Sequence, residues 1–130
     1  MARTGPAERP LSPHLQIYKP TITMVMSILH RITGAALFFG TLLLVVFLVA
    51  LASGKTSFTM AQAVYGSWIG KLVLFGYTWA LFQHMCGGIR HFIWDTGAGL
   101  ERETRMKLAW ATFFGPLALT ALVWAIYLLG

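Results

Sequence analysis

Two stretches of the chain, Ile32 to Leu51 and Leu108 to Leu129, run apolar without a single charged residue. A helix crossing the hydrocarbon core of a bilayer needs roughly 20 predominantly apolar residues, so each stretch predicts a membrane span. A third stretch, from about Trp68 to Trp94, is interrupted: Lys71 opens it, and Gln83, His84, Arg90 and His91 lie toward its far end. Counted as a span, it predicts an all-α integral membrane protein with three transmembrane helices, over about residues 22–52, 66–94 and 106–129 of a single domain covering 1–130.

Local signals place the breaks. Thr21 or Thr23 is placed to cap the first helix, and Ser53-Gly54 to stop it. The pattern around Phe58 to Tyr65 fits a short interfacial helix. Asp95-Thr-Gly-Ala-Gly ends the second long helix, because each glycine costs about 1 kcal/mol relative to alanine in a helix. Glu101 and Glu103 fall where the dipole of the third favours acids, and Pro116 lies inside it, which a membrane helix tolerates, with or without a kink. Residues Met1 to Pro20 hold four of the five prolines and predict an extended or turn-rich arm.

Composition agrees with this reading. The 130 residues are 57% hydrophobic and 11% charged, with a mean hydropathy of +0.68, which excludes an ordinary water-soluble domain. The formal charge of +6 is explained by topology. Arg3, Arg9, Lys19 and Arg31 precede or open the first span, and Arg90, Arg102, Arg105 and Lys107 lie at or between the second and third. By the positive-inside rule the N-terminal arm and the second connection face the cytoplasm, and the C-terminus faces the periplasm. No nucleic-acid partner is expected. The arm lacks the apolar core of a secretory signal, so a bacterial inner membrane is expected ahead of a mitochondrial one. Cys86 is the one cysteine; it provides no disulfide, no iron-sulfur ligand set and no covalent haem attachment.

The candidate chemistry lies in HMCGGIRHFIWD, from His84 to Asp95. Ionisable groups at membrane depth cost about 3 kcal/mol each on insertion scales and mark a partner or a pathway. The natural task for this set is holding a haem. His84 and His91 are seven residues apart, hence about 20° apart in azimuth and ~10 Å along the axis. Two imidazoles on one face cannot reach opposite faces of one porphyrin, so a second axial ligand must come from elsewhere. Gly87 and Gly88 would clear space for a flat macrocycle beside His84. The predicted topology brings His30 and Arg31 level with Arg90 and His91, where these basic groups can hold haem propionates. Equally, a membrane histidine can hydrogen-bond to a neighbouring helix, and glycines can mark plain helix packing. Ser27 and Arg31 share a helical face and can donate to the carbonyl oxygens of a quinone; the plain alternative is a serine bonded back to its own helix and an arginine snorkelling to headgroups.

Arg9-Pro-Leu-Ser-Pro-His-Leu-Gln-Ile-Tyr, Ser27-Ile-Leu-His-Arg-Ile-Thr-Gly and His84-x-x-x-Gly-Ile-Arg-His-x-x-x-Asp95 together resemble the cytochrome b556 membrane-anchor family of succinate dehydrogenase, respiratory complex II. The resemblance runs from about Arg9 to the end of the chain. It implies that His84 is an axial ligand of haem b, with the other ligand on a second anchor subunit. It further implies that Ser27 and Arg31 line the ubiquinone site and that His30, Arg31 and His91 lie near the propionates, while leaving the role of Asp95 open. Succinate oxidation, electron transport through clusters and the link to the tricarboxylic acid cycle would belong to flavoprotein and iron-sulfur partners, since this chain holds no catalytic residue for them. Two rival readings follow from the sequence: a quinol-fumarate reductase anchor working in the opposite direction, and a non-enzymatic helical-bundle subunit using His84 and Asp95 as a proton relay.

Overall fold

In a computed structural model, residues 19–130 are described; most of the N-terminal arm, with the Arg9 to Tyr18 motif, lies outside them. The described chain is helical throughout: α1 (Ile22–Ala52), α2 (Lys55–Gly66), α3 (Trp68–Asp95) and α4 (Arg102–Leu129). At 1.5 Å per residue, the 31 residues of α1 span about 47 Å. That exceeds a ~30 Å hydrocarbon core, so its ends reach the interfaces.

The ends have identifiable causes. Thr21 occupies the N-cap of α1 with an extended backbone, but its hydroxyl meets that of Thr23 at 3.0 Å instead of a backbone N–H. Gly54, at φ 102°, turns the chain between α1 and α2. The short helix expected around Phe58 to Tyr65 forms over a longer range, and the Tyr65 hydroxyl ties it to α1 by donating to the Leu43 carbonyl at 2.6 Å. Ser67 caps α3, its hydroxyl accepting from the Gly70 N–H at 3.1 Å; Gly66, expected in that helix, ends α2 instead. α4 begins at Arg102, ahead of the expected 106, because Glu101 takes the N-cap and Glu103 the first turn. The helix continues through Pro116.

The packing inverts that of a water-soluble bundle. The residues buried between helices are mostly small or polar: Thr33 and Gly40 on α1, Ala80, Gln83, Gly87 and Arg90 on α3, and Ala109, Thr112, Pro116 and Thr120 on α4, with Met26 the large exception. Large apolar side chains point outward, Phe38 and Phe92 each 72% exposed. In water so much exposed apolar surface would drive aggregation. In lipid, where tails are as apolar as leucine, close packing of small residues is what holds helices together.

Two helices, α1 and α4, are long and apolar enough to cross a membrane. α3 matches α4 in length, 28 residues each, but carries Lys71, Gln83, His84, Arg90, His91 and Asp95. It is antiparallel to α1, with His30 against Gly87, Gly34 against His84 and Gly40 against Tyr77. This places the start of α1 beside the end of α3.

Candidate functional site

Three imidazoles meet where α1 and α3 cross. His30 and His84 stack with ring centroids 4.1 Å apart and planes 6° from parallel. His91 lies tilted against the other side of the group, 5.3 Å from His30. Each stacked ring occupies a notch made by a glycine of the opposite helix. A Cβ at Gly87 would overlap the His30 ring, and one at Gly34 would stand 3.0 Å from His84 Cε1. Gly87 therefore makes room for His30 rather than for a macrocycle. Gly88 faces open space, with nothing within 4 Å of a Cβ placed there.

His84 Nδ1 lies 3.1 Å from the His30 carbonyl oxygen. A carbonyl only accepts, so Nδ1 carries the hydrogen and the lone pair resides on Nε2. Among the described residues Nε2 has no hydrogen-bond partner. A ring held by one nitrogen with the other free is the arrangement of metal-ligating histidines, whose second nitrogen commonly donates to a carbonyl or carboxylate. The plain alternative, a histidine bonding across helices, is thus realised at Nδ1 without engaging the nitrogen a metal needs. Among the described residues no three of His, Cys, Asp and Glu converge as a metal cage; the three imidazoles present faces and edges to one another.

Arg90, one residue before His91, turns into the bundle. It is 2% exposed, its Nε and Nη1 have no partner among the described residues, and its guanidinium lies 4.9 Å over the Trp94 ring. The Trp94 indole N–H donates to the Gly99 carbonyl at 3.2 Å. A small cavity of about 150 Å³ between α3 and α4 is lined by Arg90, Cys86 and Thr112.

Ser27 and Arg31 lie exposed on α1, beside this cluster in sequence but facing outward. Most helix hydroxyls here bond back into their own helix: Thr33 to Leu29, Thr41 to Leu37 and Thr59 to Lys55. Ser27 makes no such bond among the described residues, so its hydroxyl stays available. Asp95 is exposed at the end of α3. The ion pair among the described residues joins Lys107 and Glu103 at 2.7 Å, on the surface of α4. Arg31, Arg90 and the three histidines accordingly have no carboxylate partner among the described residues.

The structure brings His30, His84 and His91 together and leaves Ser27 and Arg31 on the outer face. One contributor escapes a reading of motifs. Gly34 carries no polar group, and its spacing of four residues from His30, about one helical turn, is the signal that ties it to the site; Arg90, expected beside His91, differs in turning into the bundle.

The chain matches the family model described as the succinate dehydrogenase/fumarate reductase transmembrane subunit over residues 6–123. It is 39% identical over 127 residues, 98% of each chain, to the succinate dehydrogenase cytochrome b556 subunit of Paracoccus denitrificans. It is also 39% identical to the protein of the same name from Rickettsia conorii, over 90% of this chain and 91% of that one. Against the succinate dehydrogenase cytochrome b560 subunit of Reclinomonas americana the identity is 32%, covering 92% of this chain and 86% of that one.

Proposed function

Since the chain belongs to the succinate dehydrogenase/fumarate reductase transmembrane subunit family, we propose that it anchors a succinate:quinone oxidoreductase in a bacterial inner membrane and holds haem b through His84. It crosses the membrane three times, by α1, α3 and α4. The polar residues of α3 are accommodated because His84, Gln83 and Arg90 face the bundle or a partner instead of lipid. The N-terminus and the α3–α4 turn lie on the cytoplasmic side, following the lysine and arginine distribution.

The observation that carries this reading is the His84 ring, tied at Nδ1 to the His30 carbonyl and free at Nε2. His30 stacks on the same ring and stiffens it. Among the described residues no other imidazole is poised to complement His84 as a ligand, His30 being stacked on its ring and His91 packed against His30, so a second anchor subunit would supply the remaining ligand. When bound, haem b supplies a one-electron carrier within the membrane. Arg31 offers positive charge, and His30 and His91 hydrogen-bond donors, to its propionates, as the lack of a carboxylate partner among the described residues favours. Ser27 and Arg31, outward-facing at the same end, bind and orient ubiquinone by donating to its carbonyl oxygens.

Oxidation of succinate and the passage of electrons to the membrane face belong to the flavoprotein and iron-sulfur subunits. The family description covers both directions of the reaction, and the curated relatives named as succinate dehydrogenase favour succinate oxidation here. The proton-relay alternative is disfavoured by geometry: His84 gives its Nδ1 hydrogen to a backbone carbonyl, which cannot pass a proton on. The test is a reduced-minus-oxidised spectrum of the purified complex with its subunits identified. A b-type spectrum with a copurifying flavoprotein is expected; a complex with neither overturns the proposal.

A further inference from the structure

We infer that Gly34 is a positioning residue that tunes His84 through the carbonyl of His30, an inference that rests on the reading of His84 as the haem ligand. In a helix the carbonyl of residue 30 is the one that residue 34 bonds through its own N–H. His84 reaches that same oxygen at 3.1 Å by passing close over position 34. A Cβ there would stand 3.0 Å from His84 Cε1, a tight contact, and 3.4 Å from Nδ1, an ordinary one. Alanine at this position therefore pushes the ring off α1 by a few tenths of an ångström and lengthens the Nδ1–H···O bond.

The same oxygen has a further suitor. The Thr33 hydroxyl donates to both the Leu29 carbonyl at 2.8 Å and the His30 carbonyl at 3.1 Å, sharing its one hydrogen between them. A carbonyl has two lone pairs. With one engaged by the helix, Thr33 and His84 compete for the other. Thr33 is 1% exposed, so water does not complicate the competition, and replacing its hydroxyl by a methyl leaves the oxygen to His84.

The electronic consequence has a definite sign. A stronger Nδ1–H···O bond shifts charge into the imidazole and makes Nε2 a better donor. A better axial donor stabilises the oxidised metal and lowers its reduction potential. Gly34→Ala weakens the bond and raises the potential; Thr33→Val strengthens it and lowers the potential. Adjacent substitutions on one helix thus act in opposite directions, which plain loss of packing does not produce.

The experiment is an optical redox titration of haem b in the purified whole complex at fixed pH, wild type against Gly34→Ala and Thr33→Val. The expected change is up to roughly tenfold in the reduced-to-oxidised ratio at a given potential, ~59 mV for a one-electron couple, upward for Gly34→Ala and downward for Thr33→Val. Shifts of one sign in both variants, or no shift in either, overturn the inference. If Gly34→Ala fails to assemble, Thr33→Val decides alone: a lowered potential supports it, and an unchanged or raised one overturns it. Failure of the underlying reading looks different, as a wild-type complex without a reducible b haem or one whose haem persists in His84→Ala.

Discussion

His30 and His84 lie face to face, ring centroids 4.1 Å apart and planes 6° from parallel, each seated in a notch left by a glycine of the other's helix. The relationship is reciprocal: α1 lends a ring to α3 at Gly87, and α3 returns one at Gly34. Such an interlock fixes both the separation of the two helices and their rotation about their axes. It also explains how two costly polar side chains are retained in a membrane bundle, since each ring gains a packed surface and His84 a hydrogen bond.

Gly87→Ala tests the interlock. Its added methyl overlaps the His30 ring, and overpacking of this kind typically costs about 1–3 kcal/mol. The midpoint of thermal dissociation of the complex is expected to fall. In the double variant Gly87→Ala with His30→Ala the overlap is gone, so the two effects must be non-additive. Simple additivity of the two losses in a double-mutant cycle would rule out contact between these side chains as the cause.

His84→Ala removes the nitrogen proposed to face iron while leaving the soluble catalytic subunits untouched. The b-type spectrum is expected to be lost or strongly altered, with succinate oxidation by an artificial dye largely preserved where the complex still assembles. A spectrum identical to wild type would exclude His84 as a ligand.

Much of this arrangement can be read from residue order, and the limits have physical reasons. The uncharged runs of α1 and α4 declare themselves because lipid demands about 20 apolar residues. α3 is legible only through its neighbours, since Gln83, His84, Arg90 and His91 dilute its apolar character. The antiparallel placement of His30 near His84 and His91 follows from short connections and charge asymmetry. Azimuth does not follow, and it decides what each glycine is for. Gly87, read as clearance for a macrocycle, instead admits an imidazole, while Gly88 beside it faces open space. Gly34 and Thr33 carry no chemistry of their own, and they matter only because His84 comes down on the carbonyl between them and Leu29.

Ser27 and Arg31 make a separable prediction, because they face outward and support no packing. Ser27→Ala removes a neutral donor, worth about 0.5–1.5 kcal/mol, and Arg31→Leu a charged one, worth about 1.5–3 kcal/mol. The corresponding losses in kcat/KM for quinone are roughly twofold to tenfold and roughly tenfold to a hundredfold. Dye-linked succinate oxidation should hardly change in either variant. Parallel loss of both activities would point to failed assembly and against a direct role at the quinone.

Trp94 makes the last prediction, concerning how α4 is held against the histidine-bearing helix. Its indole N–H donates to the Gly99 carbonyl, its ring underlies the buried Arg90 guanidinium, and its edge meets His91 at 5.2 Å. The turn it braces contains Gly97 and Gly99, both at positive φ, 79° and 73°, a conformation that offers the chain little stiffness of its own. Trp94→Phe keeps an aromatic face for Arg90 and His91 but leaves the Gly99 carbonyl without its donor, a cost of about 0.5–1.5 kcal/mol. Hydrogen exchange should accelerate in residues 96–101 while the haem spectrum stays unchanged, because His84 lies nearly three helical turns away on α3. Unaltered exchange in that turn would mean that its geometry is set by α4 packing alone, and that the indole contributes only its ring.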